Sequence, residues 1–146
     1  MVSSKENIFW QNTVSLQPKS RGFHLITEDI FSALTDMPDV QIGLLNIFLQ
    51  HTSASLVISE NTCQEVREDL EQFFNRIAPD DNALYQHTIE GEDDMPAHIK
   101  NAMLGSSLII PINNNALQLG QWQGIYLCEH RNQASARHLV LTVQGQ

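Results

Sequence analysis

The sequence predicts an α+β fold, and three observations carry that prediction. Short apolar runs of strand length recur from Ile8 to Val143, some alternating with polar residues and some continuous. Three stretches instead place apolar residues at helical spacing and stop at proline or glycine. No repeat, linker or low-complexity tract separates the two kinds, so the 146 residues read as one domain, 1–146, with residues 1–5 a loose end.

In chain order, Asn7 to Gln17 alternates as a half-buried strand, PKSRG (18–22) turns, and Phe23 to Ile26 forms a short second strand. A helix capped by Thr27 runs through Ile30, Phe31 and Leu34 to the breaker Pro38. GLLNIFL (43–49) is apolar on both faces, the pattern of a central strand covered on both sides, and it delivers His51 in phase with Leu45, Ile47 and Leu49. Leu56 to Ser59 is a strand. The clearest helix follows, with Thr62 and Glu65 as a capping box and Cys63, Val66, Leu70, Phe73, Phe74 and Ile77 on one side. Ser107 to Ile112, Ala116 to Leu119, Trp122 to His130 and Leu139 to Val143 complete the strands. Pro111 points to an edge or bulge, and Asn113 to Asn115 to a hairpin turn.

The stretch HTIEGEDDMPAHIK (87–100) concentrates two histidines and four carboxylates in fourteen residues. Asp94 suits a helix cap, Pro96 a first helical turn, and Gly105 the stop. A helix there puts Asp94 and His98, one turn apart, on the same face.

The formal charge of −9 and pI near 4.9 exclude a general nucleic-acid or anionic-membrane binder, while leaving room for a local pocket for a small phosphate. Cys63 and Cys128 form no CxxC and no disulfide framework, and there is neither an apolar run of ~18 residues nor a signal-peptide core. A cytoplasmic protein is expected.

Six histidines are the compositional hint of chemistry. His51, His87 and His98 together would hold a divalent ion, zinc or magnesium, with a position open for water or substrate. Asp94 would support that centre. Cys128 and His130 share a strand face but stand roughly 7 Å apart, so a buried cysteine is a better reading than a nucleophile. Ser53 and Ser55 beside His51 lack a GxSxG elbow. Arg131 and Arg137 are candidate phosphate clamps or surface residues. Trp122, between Gly120 and Gly124, is either core, the favoured reading, or a stacking platform.

Taken together, RGFHLIT, LLNIFLQHTSASL, SENTCQEVREDLEQFF, EGEDDMPAHIKNAMLG, SSLIIPI and GQWQGIYLCEHR resemble the YjbQ family, whose members are labelled secondary thiamine-phosphate synthases. The likeness runs from about Phe9 to Gly145. It implies an α+β fold with a mixed, mainly antiparallel sheet, assembled as a homotrimer with sites near subunit boundaries. It also implies a weak transferase that joins hydroxymethylpyrimidine diphosphate to thiazole phosphate and releases pyrophosphate. His51, His87, His98, Asn61 and Glu129 fall on its motif positions. The sequence departs from the family at Gln121, where Thr is usual, at Asn115, and in the 132–137 connection, which has Ala134 and Ala136 for glycines.

The expected catalytic set is His51, His87, His98, Glu129 and His130, with Asn61, Asp94, Trp122, Arg131 and Arg137 against a small phosphorylated substrate. The alternative is a non-enzymatic trimer that binds a metal or a phosphorylated metabolite.

Overall fold

Among the described residues, 6–146, of the computed structural model, the chain builds two antiparallel sheets and three α-helices. Residues 1–5, read above as a loose end, lie outside the described part. The strands are β1 (Ile8–Leu16), β2 (Gly22–Leu25), β3 (Ile42–Leu49), β4 (Ala54–Glu60), β5 (Ser107–Asn113), β6 (Ala116–Leu117), β7 (Gln123–Glu129) and β8 (Arg137–Gly145). The helices are α1 (Thr27–Ala33), α2 (Gln64–Ile77) and α3 (Asp94–Leu104).

One sheet has the order β1-β8-β3-β5-β6 and the other β2-β7-β4. Every strand pairing is antiparallel, so the expectation of a mixed sheet is corrected: no described pair is parallel, and there are two sheets. Alternation decides which side chains enter the space between them. Leu45, Ile47 and Leu49 of β3, Leu139, Leu141 and Val143 of β8, and Ile125 and Leu127 of β7 share one buried cluster. Ile30 and Leu34 close one end of it. On the far face of the smaller sheet, Leu70 and Phe74 of α2 pack against Phe23, Tyr126 and Cys128.

β3 is central in its sheet, but only one of its faces is covered within the chain. Leu44 and Phe48 remain exposed beside Ile109 of β5 and Phe9 of β1. The Asn114-Asn115 hairpin turn is present, with φ of +47° and +67°, left-handed values that a short amide side chain tolerates.

Three expected caps are replaced by other contacts. Thr27 Oγ1 accepts the N–H of Ile125 instead of capping α1, which stops at Ala33, before Pro38. The Glu60 carboxylate, not a Thr62/Glu65 box, receives the N–H groups of Thr62 and Cys63 at the entry to α2. Asp94 is the first residue of α3 and its carboxylate makes no cap. It is used elsewhere.

Candidate metal centre

α3 begins where the acidic loop ends, and that junction aims three side chains at one point. Asp94 and His98 are one helical turn apart, and the loop before them returns His87 to the same place. His87 Nε2 lies 2.7 Å and His98 Nε2 2.9 Å from a single oxygen, Asp94 Oδ2. The two rings stand 5.5 Å apart between centroids, tilted at 48°. Asp94 is buried, while the His87 and His98 side chains are 43% and 31% exposed, so the group opens to solvent on the histidine side. One ligand atom from each of the three lies within 4.8 Å of the others.

Hydrogen bonding fixes what can occupy that point. His98 Nδ1 is 2.8 Å from the carbonyl oxygen of Thr52, which can only accept, so Nδ1 carries a proton. In a neutral ring Nε2 then presents a lone pair toward the ionised Asp94 oxygen, and two acceptors repel. Either a second proton or a cation must lie between them. A backbone carbonyl on one ring nitrogen and an open lone pair on the other is the arrangement of a metal-bound histidine. Ligands ~2.1 Å from a tetrahedral ion lie ~3.4 Å apart, so each histidine nitrogen would draw back from Asp94 Oδ2 by roughly half to three-quarters of an ångström to admit one.

Burial pushes the Asp94 carboxyl up, but the His87 hydrogen bond and the charges of His98 and Arg131 outweigh it and hold the group below the usual carboxylate range. Arg131 Nη1 donates to Asp94 Oδ1, Nε to Asp93 Oδ2 and Nη2 to the Glu90 carbonyl. Asp93 also receives the N–H of Asn132. The guanidinium therefore locks the acidic loop and turns Oδ2 toward the histidines.

The other expected site residues lie elsewhere. His51 is not in the group: its Nε2 accepts the N–H of His138 at 2.9 Å, and its ring stacks on His138. Burial and the charges of Arg137 and His138 lower its pKa, in keeping with a neutral, accepting ring. The neighbouring Thr52 carbonyl is what this loop contributes. The expected convergence of three imidazoles is thus replaced by two imidazoles and a carboxylate.

Glu129 is fully buried, and both its oxygens are held by Arg137 Nε and Nη2 at 2.7 and 2.6 Å. Arg137 also donates to the Ser53 carbonyl. Neither residue faces an open site, and Arg131 is equally engaged, so the expected arginine clamps are corrected to internal ties. His130 is 1% exposed, and its Nε2 contacts Ser55 Oγ at 2.8 Å, so Ser55 pairs with His130 and not with His51. Burial, with the charges of Lys100, Arg21 and Arg137, lowers the His130 pKa to about 3. Cys128 is buried and its thiol is pushed up by burial, as a structural cysteine should be. Asn61 donates its amide to the Gln121 and Gln123 carbonyls, bracing the turn that carries Trp122. Trp122 is 60% exposed, which overturns its core reading.

Sequence reasoning missed Asp93, the Thr52 carbonyl and the buried Lys100, whose ammonium donates to Asn75 Oδ1. Only Asp93 had a signal, its place in the acidic run.

No described helix is long and apolar enough to cross a membrane. The family model described as UPF0047 protein YjbQ-like matches residues 12–146. The chain is 52% identical to UPF0047 protein YjbQ of Escherichia coli over 95% of its length and all of that protein's. It is 49% identical to the Salmonella typhimurium protein of the same name, again over 95% and 100%. Among solved structures, a YbjQ-like protein from Sulfolobus solfataricus superposes with a TM-score of 0.86 at 20% identity, covering 97% of this chain and 100% of that one. A YjbQ/UPF0047 family protein from Clostridium acetobutylicum gives 0.69 at 30% identity, covering 91% and 97%. With its sequence matched from the first sheet strand to the last residue, the chain belongs to the YjbQ (UPF0047) family.

Proposed function

We propose that His87, Asp94 and His98 hold a divalent metal ion, and that this centre serves a secondary thiamine-phosphate synthase type of transfer. The single supporting observation is the shared Asp94 Oδ2 contact of the two imidazoles, one of which is already committed through Nδ1 to Thr52. Two nitrogens and one oxygen suit zinc and its neighbours better than magnesium, which prefers an all-oxygen shell. When bound, such an ion supplies positive charge that a departing pyrophosphate requires.

In that transfer the carbon–oxygen bond to the diphosphate breaks, and a bond forms from the thiazole ring nitrogen to the same carbon. The nitrogen carries no proton to lose and becomes positively charged, so no strong base is needed. This agrees with the burial of Glu129 and His130, which leaves neither in reach of a substrate. Arg131 acts by orienting Asp94, and Thr52 by orienting His98.

The test is metal content by mass spectrometry together with pyrophosphate release, in wild type and His98→Ala. Loss of zinc with loss of release supports the reading; unchanged values for both end it. A second reading, a metal- and phosphometabolite-binding protein without turnover, is favoured by one observation. Arg131 and Arg137 are spent on internal carboxylates, so neither is free to hold a second phosphate. It predicts tight zinc and pyrophosphate binding with no transfer at any protein concentration.

We further propose that the protein assembles as a homotrimer through the outer face of the five-stranded sheet. Phe9, Phe48 and Ile109 on that face are 76%, 47% and 62% exposed, and a group of exposed large apolar side chains on one sheet face supports its use as an interface. A cytoplasmic location accompanies this reading.

A further inference from the structure

At one end of the larger sheet β8 extends past β3, and the His51 ring completes the ladder there. The paired register of the two strands ends at Leu49 and Leu139. One residue further, Gln50 donates its N–H to the His138 carbonyl at 3.1 Å. In an antiparallel ladder the two residues of such a pair exchange both bonds. Here the return bond has another acceptor: the His138 N–H is donated to His51 Nε2 at 2.9 Å. The imidazole nitrogen thus takes the role of the Gln50 carbonyl, and the chain is free to leave the sheet at that residue.

Leaving the sheet carries the chain to α3, where His98 and Asn101, three residues apart, lie on one face. His98 Nδ1 donates to the Thr52 carbonyl at 2.8 Å. The two sides of that carbonyl are held unequally. After it, Ala54 is paired with Glu129 in the β4–β7 ladder and its carbonyl takes the Asn101 amide at 2.7 Å. The Arg137 bond to the Ser53 carbonyl therefore adds to a segment that is already anchored. Before it, at residue 51, the ties are the His51 ring and a long 3.4 Å contact from the Asn101 amide to the His51 carbonyl. To accept an N–H, Nε2 must keep its lone pair free, so the ring is neutral with its proton on Nδ1. A metal ion on Nε2 would break the bond to His138.

We propose that His51 is a positioning residue for the centre it does not itself enter. Its neutral ring, held by the His138 N–H, places the Thr52 carbonyl, and that carbonyl keeps a proton of His98 on Nδ1 and leaves Nε2 for the ion. The inference rests on the reading of His87, Asp94 and His98 as a metal centre, and the experiment separates the two.

The full chain, with its histidines labelled with nitrogen-15, is recorded zinc-free at mildly basic pH and then titrated with zinc. His51→Ala removes the acceptor. His51→Gln keeps an acceptor at the place of Nε2 but has no ring nitrogen to bind a metal or carry a proton. His51→Asn is too short to reach the His138 amide, and it carries the same test as His51→Ala should that variant not fold. In zinc-free wild type the ring spectra should show His51 protonated on Nδ1 alone and His98 protonated on Nδ1. His51→Gln should retain the His98 pattern and bind zinc within about twofold of wild type. In His51→Ala and His51→Asn the Nδ1–H signal of His98 should be lost, its proton moving to Nε2 beside Asp94. Those two variants should bind zinc about threefold to tenfold more weakly, a smaller loss than for a group that touches a ligand directly. The proposal is overturned if His51 carries its proton on Nε2, or if His51→Ala and His51→Asn leave the His98 ring pattern unchanged. It is equally overturned if His51→Gln loses zinc as fully as His51→Ala, which would give the ring nitrogen a direct part. Wild-type protein with the expected ring patterns but no zinc binding would remove the metal centre while still supporting the hold of His51 on His98.

Discussion

Arg131 and Asp94 are joined so that the guanidinium takes Oδ1 of the carboxylate and leaves Oδ2 to face two imidazoles. The arginine comes from the connection after β7 and the aspartate from the first turn of α3. One ion pair therefore fixes the position of a helix and the direction of a ligand. Arg131→Ala should lower zinc affinity about tenfold to a hundredfold, the range for loss of a group that orients a metal ligand. Arg131→Lys should fall between, since a lysine keeps the charge but cannot reach Asp93 and Asp94 together. Calorimetric titration with zinc measures both.

Arg137→Ala is the contrasting case. It leaves Glu129 fully buried without its partner, which typically costs about 3–5 kcal/mol. The expected outcome is a large drop in the urea midpoint. Material that remains folded should bind zinc within about twofold of wild type, because the hydrogen bonds of Arg137 go to Glu129 and the Ser53 carbonyl and none to His87, Asp94 or His98. A variant that stays stable yet loses zinc would place Arg137 in the centre after all.

The sequence placed Asp94 and His98 on one helix face and His87 nearby, and α3 puts them there. The third imidazole was the misplaced part. Strand alternation did predict the phase of His51, but past Leu49 the chain leaves the strand, and the ring turns to the His138 amide. Arg131 faces inward because of Asp93 and Asp94, 38 and 37 residues away, and Arg137 because the chain after β7 folds back to bring it against Glu129, eight residues before it; spacing alone carries no information about either pairing. Local rules failed for the same reason at Thr27, whose hydroxyl meets a strand 98 residues away. What was legible was set by neighbours within one turn or one pleat.

His130 should make the fold sensitive to acid. Its native pKa of about 3 lies below the ordinary 6.5, so between those values the unfolded chain holds a proton there that the native protein does not. Stability therefore rises with pH across the window and falls on acidification, by up to about 1.4 kcal/mol per pH unit. Above pH 6.5 the effect is absent. His130→Gln keeps a polar group for Ser55 and removes the titration, so its denaturation midpoint should fall less steeply from pH 6.5 to 4 than wild type. Parallel pH profiles for the two proteins would refute the assignment.

Gly145 pairs with Gly43 across β8 and β3, and a methyl group added at 145 would strike the Ile42 carbonyl and Gly43 Cα. Both obstacles are backbone in the middle of a sheet and cannot step aside as a flexible side chain would. Gly145→Ala should therefore cost about 1–3 kcal/mol, read as a lower thermal midpoint with zinc stoichiometry unchanged. An unaltered midpoint would mean that this end of the sheet is looser than its register indicates.

The outer sheet face offers the last test, and it separates assembly from metal binding. Ile109 and Phe48 lie on neighbouring strands, exposed on the same side, near Thr142 and Val140 of β8. Within one chain neither contributes to the buried cluster, so Ile109→Lys should leave the monomer's fold intact. In a trimer joined through this face it would bury three unpaired ammonium groups, each opposed by a desolvation cost of several kcal/mol. The expected outcome by light scattering is a shift from trimer mass toward monomer. Zinc binding by His87, Asp94 and His98 should persist, because all three ligands come from one chain. Wild-type protein at monomer mass would remove the trimer from the reading. Zinc lost together with the trimer would instead show that the centre draws a further ligand from a second copy.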